Sequence, residues 1–248
     1  MWQRFRTRNL SHLRILATGI LFFAAASTAK AYTTGNLVVD PSFESNPLIP
    51  YVQILGPPYT TGSWGAEMAT ISGTASGITP ASGALMLSMT DDGLIATQAF
   101  QLVDVSAYAT DINAGLATVD ASALYNVPAD VPAGAAAVYT GFYNGANASI
   151  GSFTIPGVLD SNVSTWQSLN INAFPVPVGT QYILMQVLYN NASMISSNGA
   201  SRPGYVDDAM LTLTAVPEPT SIALAATAFV GVLVMGTRRG IRPARVAR

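Results

Sequence analysis

The sequence has 248 residues and a formal net charge of −2, and it contains no cysteine, which excludes disulfides, thiolate metal sites and cysteine nucleophiles. Between residues 32 and 215, Arg202 is the only basic residue beside 12 Asp and Glu side chains, so this part has a formal charge of −11. Such an acidic segment repels phosphate backbones, which makes nucleic acid a poor partner. His12 and Lys30 both precede it, so Ser-His-Asp triads, Schiff bases and histidine metal sites are excluded from it as well.

Residues 1–31 are predicted to be a secretory signal peptide. A basic beginning precedes an apolar run of 12 residues at 15–26, and Ala29 and Ala31 supply the small side chains that signal peptidase requires. Cleavage is therefore expected after Ala31. The alternative is an uncleaved membrane anchor, which the short apolar run disfavours.

Residues 32–215 are predicted to fold as one extracytoplasmic all-β domain. Short segments rich in β-branched, aromatic and Met residues alternate with clusters of Gly, Pro, Asn, Asp and Ser. This number of strands in one segment suggests a β-sandwich or jelly roll. The predicted strands are 36–40, 67–72, 84–90, 95–105, 115–124, 136–144, 150–155, 166–172, 180–190 and 205–214.

The last predicted strand shows the clearest alternation. Ala209, Leu211 and Leu213 share one face, which predicts that this face lies in the core. Extending the same phase backwards places Asp207 on the core face, where an isolated carboxylate is costly. Because the segment has almost no Arg or Lys to pair with Asp207, a bound cation is the simplest partner.

Two segments resemble motifs of a known fold family. Residues 36–44 read NLVVDPSFE and residues 205–211 read YVDDAML, which resemble the opening and closing motifs of galactose-binding-like jelly rolls. That family includes many carbohydrate-binding modules. The chain departs from its pattern at Asp40, where Asn is usual, and at Ala209, where Val or Ile is usual. The resemblance implies a galactose-binding-like jelly-roll sandwich and raises the expectation of glycan binding.

The same resemblance implies one structural calcium ion. In that family a calcium ion often joins the first and last strands, and its ligands here would be Glu44 and Asp207, with backbone carbonyls near Asp40 and Ser42. Calcium takes six to eight oxygen ligands, whereas zinc and copper are disfavoured because the segment lacks His and Cys. In the alternative interpretation, Glu44 caps a turn and Asp207 is solvated.

Aromatic side chains are the candidates for stacking on sugar rings. Tyr51, Tyr59 and Trp64 lie in a Pro- and Gly-rich segment and are expected to be exposed for ligand contact. Core packing is the alternative for all of them. The further candidates are Tyr139, Tyr143, Tyr189 and Tyr205.

Catalysis is not expected. The remaining scheme is a glycosidase with two carboxylates, and nothing in the spacing of the acidic residues marks such a pair. The available carboxylates are Glu67, Asp91, Asp92 and Asp160, of which Asp91 and Asp92 with Gly93 are better interpreted as a tight turn.

Residues 216–248 are predicted to be a sorting and anchoring segment. Pro217, Glu218 and Pro219 precede 18 uncharged residues at 220–237, and a basic tail follows at 238–248. A helix of that length reaches roughly 27 Å, enough to cross a hydrocarbon core, and the arginines would stay on the cytoplasmic side. This tripartite tail resembles the PEP-CTERM sorting signal of Gram-negative bacteria that make exopolysaccharide. An ordinary tail anchor is the alternative.

The resemblance of the tail implies processing by an exosortase, and the N-terminus implies processing by signal peptidase. The sequence therefore predicts an exported precursor held in the inner membrane, whose mature form reaches the cell surface or extracellular matrix. We expect a non-catalytic protein associated with exopolysaccharide and biofilm that binds glycan. The alternatives are a structural or adhesive module that binds proteins, and a carboxylate-based glycoside hydrolase.

Overall fold

β-strands are the main secondary structure in the part of the chain that the computed structural model describes, which comprises residues 31–45, 47–50, 61–91 and 93–216. Residues 31–216 form one unit by their contacts. Its strands are β1 (Tyr32–Thr33), β2 (Ile49–Pro50), β3 (Trp64–Ala66), β4 (Ala69–Ser72), β5 (Met86–Met89), β6 (Ala96–Asp104), β7 (Ala117–Asn126), β8 (Gly134–Tyr143), β9 (Ser149–Leu159), β10 (Gln167–Pro175), β11 (Tyr182–Asn190) and β12 (Gly204–Ala215). One short helix, α1 (Ala109–Asn113), connects β6 to β7 through a preceding 3₁₀ turn.

The strands form two sheets. The first has the order β10-β7-β12-β5-β4, with β1 paired to the end of β12, and the second has the order β2-β3-β6-β11-β8-β9. Every pair is antiparallel except β2 with β3. Side chains such as Val119 and Leu211 of the first sheet pack with Val138 and Val187 of the second in one buried cluster. The predicted β-sandwich is therefore confirmed.

Alternating residues of each long strand face this core. On β7, Ala117, Val119, Ala121 and Ala123 are buried while the residues between them are half-buried, because successive side chains of a strand point to opposite faces. The rings of Tyr125 and Tyr189 meet edge-on at 5.5 Å across the sandwich. Alanine-rich strands thus bring the two sheets close, and a few large rings fill the space between them.

The phase of β12 changes at a bulge. Ala209, Leu211 and Leu213 lie in the core as predicted, but the register shifts between Asp207 and Met210. Because of this shift, Val206 rather than Asp207 shares the core face with Ala209. The predicted position of Asp207 among the core leucines is therefore wrong, although its side chain is fully buried elsewhere.

Nine of the predicted strands correspond to observed ones, and the first does not. Residues 36 and 37 have no regular structure and residues 38–40 form a bend. The amide of Leu37 still donates to the carbonyl of Leu211 at 2.8 Å, but the Asn36 side chain supplies two hydrogen bonds to β12 that a paired strand would make with its backbone. Its Nδ2 donates to the carbonyl of Ala209 at 2.9 Å, and its Oδ1 accepts from the amide of Leu211 at 3.0 Å. The strand at this edge is instead β1, whose Tyr32 pairs with Ala215.

The predicted terminal segments lie almost entirely outside the described residues. These include Ala29 of the cleavage site and Pro217, Glu218 and Pro219 of the sorting motif, together with the predicted spanning helix at 220–237. Ala31 is described and is exposed. Within the described ranges, none of the helices combines the length and hydropathy of a membrane span.

Candidate functional site

The outer face of the second sheet carries an unusual set of side chains. On β11, Ile183, Met185 and Val187 face the core. Tyr182 and Leu184 point to the opposite side, where most sheets of a sandwich show polar residues. This side of the second sheet is the candidate site.

A second apolar cluster covers that side. Phe100, Leu102 and Leu184 are buried there, and three partly exposed tyrosines pack against them. We call this cluster, with the side chains in register with it, the aromatic face; its apolar members are Phe100, Leu102, Tyr139, Tyr143, Tyr182 and Leu184. Rings that are half covered and half exposed suit a ligand with apolar and polar surfaces.

The strand register arranges the face in rows. Tyr182 lies between Asp104 and Tyr143, and Gln186 lies between Phe100 and Tyr139. The face begins in the row of Gln98, six residues from Asp104 along β6, so it extends about 20 Å along the strands. The dimensions suit an extended ligand better than a compact one.

Gly141 gives two of the tyrosines their positions. A Cβ atom at Gly141 would stand 3.0 Å from ring atoms of both Tyr139 and Tyr143, so the two rings lie across the glycine from either side. Gly65 has the same relation to Phe100, whose ring would lie 2.5 Å from its Cβ. Glycine at both positions lets the rings lie flat on the sheet.

Replacing Gly141 by valine is expected to push both rings off the sheet. The fold should survive, because the outer face has room to relax, with a loss of about 1–3 kcal/mol in the free energy of unfolding. Changed NMR chemical shifts for the rings of Tyr139 and Tyr143 would report the displacement. Ser152→Ala, in the same row on β9, is the control and should leave those signals in place.

A hydrogen-bonded network of three polar side chains, Gln186, Gln98 and Glu67, ends the aromatic face. Gln186 donates through Nε2 to Oε1 of Gln98, and Gln98 donates through Nε2 to Oε2 of Glu67 at 2.8 Å. Glu67 is 6% exposed, and its Oε1 accepts no hydrogen bond within the described residues. Carboxamides beside stacked rings can bind hydroxyl groups by donating and accepting hydrogen bonds.

The outer face of the first sheet has a different chemistry. Hydroxyl groups dominate it: Thr33 and Thr214 share a hydrogen bond of 2.9 Å between their Oγ1 atoms, and Ser168 donates to Asn170 at 2.9 Å. These side chains satisfy one another and present no ring. The outer side of the first sheet also carries a small apolar cluster in which Trp166 packs with Met86 and the buried Tyr205, and the indole Nε1 donates to the carbonyl of Thr79 at 3.0 Å. The aromatic face differs in bringing three half-exposed tyrosines together in one cluster.

Trp64 does not belong to the exposed surface. Its side chain is fully buried, its ring lies 5.0 Å from that of Phe43, and its Nε1 donates to the carbonyl of Asp40 at 3.0 Å. The prediction that Trp64 contacts a ligand is therefore wrong, because β3 turns its side chain into the core. Tyr51 and Tyr59 lie outside the described residues, and the further candidates Tyr189 and Tyr205 are fully buried.

The predicted calcium ligands hold backbone amides. Oε1 of Glu44 accepts from the amides of Ala84 and Leu85 at 2.9 and 2.7 Å. Oδ2 of Asp207 accepts from the amides of Ala81 and Ser82 at 2.8 and 3.1 Å. The two carboxylates therefore hold the loop at 81–85 from both of its ends.

The other predicted ligands are engaged in the same manner. Oδ1 of Asp40 accepts from the amides of Glu44 and Ser45 at 2.8 and 3.2 Å, while Ser42 is half-buried beside them. Within the described ranges, no group of three or more acidic or histidine side chains is placed to hold a metal ion. This donor set, turned toward N–H groups, does not fit a calcium shell of six to eight oxygens. The calcium ion stays a prediction without support from these contacts.

Burial is the main influence on Asp207. Removal from water raises the pKa of its carboxyl from 3.8 to about 6, while the amides of Ser82, Asp208 and Ala81 counteract part of this effect. The nearby Asp208 carboxylate raises the pKa further. Amide donors thus partner the carboxylate for which the sequence suggested a cation.

The other carboxylates named for a glycosidase support turns. Oδ1 of Asp91 accepts from the amide of Gly93 at 2.7 Å, which agrees with the predicted tight turn, and Oδ1 of Asp160 accepts from the amide of Asn162 at 2.9 Å. Asp92 lies outside the described residues. Of the three that the structure describes, Glu67 alone stands at the aromatic face.

Comparison with known proteins finds similarity only among solved structures. No family model matches the sequence, and no curated protein matches it significantly. The carbohydrate-binding module TmCBM61, solved with β-1,4-galactotriose, is 12% identical with a TM-score of 0.46, over 72% of this chain and 98% of that one. The xylan-binding domain CBM22-1 of Paenibacillus barcinonensis Xyn10C is 14% identical with a TM-score of 0.44, over 74% and 97%.

A third similar structure is the C-terminal family 22 carbohydrate-binding module of Clostridium thermocellum Xyn10B. It is 15% identical with a TM-score of 0.43, over 64% of this chain and 90% of that one. Because these TM-scores are low, the fold and the aromatic face described above stand on the strand pairings and contacts of this chain.

Proposed function

We propose that the domain at 32–215 is a non-catalytic glycan-binding domain and that its ligand lies along the aromatic face. The half-exposed rings of Tyr139, Tyr143 and Tyr182 carry this proposal. Sugar rings have apolar faces that stack on aromatic side chains, and their hydroxyl groups can bond to Gln98 and Gln186 at the end of the face. The galactose-binding-like jelly roll is our interpretation of the same sandwich.

The shape and charge of the face favour a polysaccharide over a small ligand. Its length of about 20 Å along the strands suits a chain of several sugar units lying across the rows. The face lies on a rigid sheet, so little ordering is needed for binding. No phosphate or nucleic acid is expected there, because the domain is strongly acidic.

Replacing Tyr143 by alanine is expected to lower affinity for the bound glycan about tenfold or more, since truncating a central aromatic contact often costs about 2 kcal/mol. The wild-type protein would first be screened on an array of neutral, amino-substituted and acidic oligosaccharides, and the strongest ligand measured by calorimetry. Tyr32→Ala, an exposed tyrosine on the first sheet, is the control. Equal losses for both variants, or no binding by the wild type, would contradict the proposal.

We further propose that the protein is exported, processed by signal peptidase after Ala31 and by an exosortase at Pro217–Pro219, and retained in an exopolysaccharide-rich matrix. The order of motif, uncharged segment and basic tail supports this proposal, as does the apolar run at 15–26. The intact mass of the protein recovered from cells reports both cuts. Protection of the domain from added protease until cells are lysed would contradict its delivery to the cell surface or matrix.

A further inference from the structure

Glu67 occupies a position that the stacking of sugars does not explain. It follows β3, and its amide donates to the carbonyl of Gln98 at 3.0 Å, which places both side chains on the outer side of the second sheet. The carboxylate is almost wholly buried and has one oxygen without a partner in the described part of the chain. Burying a carboxylate is costly, so its retention at the end of the aromatic face suggests a role there.

Glu67 fixes the direction of the hydrogen bonds in this network, which donate from Gln186 to Gln98 and from Gln98 to Glu67. An ionised carboxylate can only accept, so Gln98 must present its NH₂ group to Glu67 and its Oε1 to Gln186. Gln186 must then present its NH₂ group to Gln98. Its own Oε1 accepts no hydrogen bond from any described residue and lies in the row between Phe100 and Tyr139. The carboxylate thus leaves an acceptor beside the rings.

The charges around the face have one sign. Asp104 stands at its other end, in the row of Tyr182. Arg202 is the only basic residue among those described, and its guanidinium pairs with Asp130 at 2.7 Å. An acidic sugar on this face would meet carboxylates at both ends without a described cation to compensate them, which costs affinity.

We propose that Glu67 sets the specificity of the aromatic face: by orienting Gln98 and Gln186 it creates an acceptor for a sugar hydroxyl, and with Asp104 it excludes acidic glycans. The inference rests on the proposed glycan-binding function and names its ligand class as uncharged, hydroxyl-donating polysaccharides. Glu67 is a positioning residue, because it acts on the ligand through Gln186.

Glu67→Gln in the full-length protein is the direct test. Glutamine can turn either its oxygen or its NH₂ group toward Gln98, so the donor and acceptor roles of Gln98 and Gln186 are no longer fixed. Affinity for a neutral oligosaccharide should fall about three- to tenfold, as expected for one lost hydrogen bond, while affinity for a uronic-acid oligosaccharide should rise. The melting temperature should be unchanged or higher, because a buried charge has been removed.

Gln186→Leu separates this role from a general disturbance of the face. It should cost the same affinity for the neutral oligosaccharide as Glu67→Gln, and the double variant should lose no more than either single variant, since both remove one acceptor. Additive losses would show that Glu67 acts independently of Gln186 and would overturn the inference. So would a parallel fall in affinity for neutral and acidic oligosaccharides.

A measurement without ligand keeps this inference distinct from the proposed function. In protein labelled with ¹⁵N at glutamine, the side-chain NH₂ signals of Gln98 and Gln186 should be sharp and hydrogen-bonded, and both should change in Glu67→Gln. If the wild type binds no glycan, the proposed function fails. The signals still decide whether Glu67 orients the side-chain amides of Gln98 and Gln186. Signals that stay the same in the variant would overturn the orienting role.

Discussion

Replacing Trp64 by alanine is expected to lower the free energy of unfolding by about 3–5 kcal/mol, the usual cost of removing a buried tryptophan. The indole is fully buried against Phe43 and ties β3 to the loop at 40–43 through the carbonyl of Asp40. Its loss would leave a large cavity, and the carbonyl of Asp40 would lose the indole N–H as its hydrogen-bond donor. Urea unfolding at equilibrium measures the effect.

Two variants show whether Trp64 acts as a core residue or as a ligand contact. Trp64→Phe keeps a ring but loses the hydrogen bond, so we expect a smaller loss of about 1–2 kcal/mol. Neither variant, while folded, should change glycan affinity as Tyr143→Ala does. A stability loss below about 1 kcal/mol for the alanine variant would contradict the core assignment.

Replacing Asp207 by alanine is expected to lower the free energy of unfolding by about 2–4 kcal/mol at neutral pH. Each buried N–H group that loses its acceptor costs about 1–3 kcal/mol, and water that enters the relaxed site recovers part of this cost. Three amides depend on this carboxylate: those of Ala81 and Ser82 on Oδ2 and that of Asp208 on Oδ1 at 2.8 Å. The loop at 81–85 should become more sensitive to protease. Glu44→Ala, which removes an exposed carboxylate from the other end of the loop, should cost less.

The Asp207 carboxyl also predicts a dependence on pH. Its pKa in the folded protein, about 6, is above the ordinary 3.8, so the folded state holds more protons between these values. The stability contributed by this group is therefore complete below pH 4 and decreases as the pH rises through 6. Unfolding of wild type and Asp207→Asn, measured across this range, should give a difference that changes with that sign. Parallel curves would contradict the shifted pKa.

The same variants test the calcium prediction. If a calcium ion is bound at Glu44 and Asp207, a chelator lowers the melting temperature of the wild type and has no effect on Glu44→Ala. If the amide contacts alone hold the loop, the chelator changes nothing and the calcium prediction is wrong. In both cases Asp207→Ala remains less stable than the wild type in the presence of chelator.

The sequence was sufficient to predict the sandwich because most of its strands show two local features. Apolar residues alternate along the strand, and clusters of Gly, Pro, Asn, Asp and Ser bound it at each end. It failed where side chains replace the backbone ladder, as Asn36 does beside β12. It also failed across the bulge after Asp207, since an inserted residue reverses the faces and leaves no mark in the pattern of apolar residues.

The candidate site was predicted only in part. Tyr139 and Tyr143 were among the candidate aromatic residues, whereas Tyr182 and Gln186 were missed. Strand β11 reads YILMQVLYN and is apolar on both faces, so its sequence does not say which face is the core. The regular spacing of Tyr182, Leu184 and Gln186 was the available signal, but only the neighbouring strands reveal that the tyrosines converge.

The pairing of β1 with β12 has a consequence for engineering. Tyr32 and Ala215 are partners in an antiparallel pair, so their Cα atoms lie within about 5.5 Å of each other. A short linker could therefore join the two ends, and new termini could be opened at the turn around Gly93 to give a circular permutant. By the same geometry, the domain could be grafted into a surface loop of a host protein as a cassette, with little entropic cost for closing the host loop.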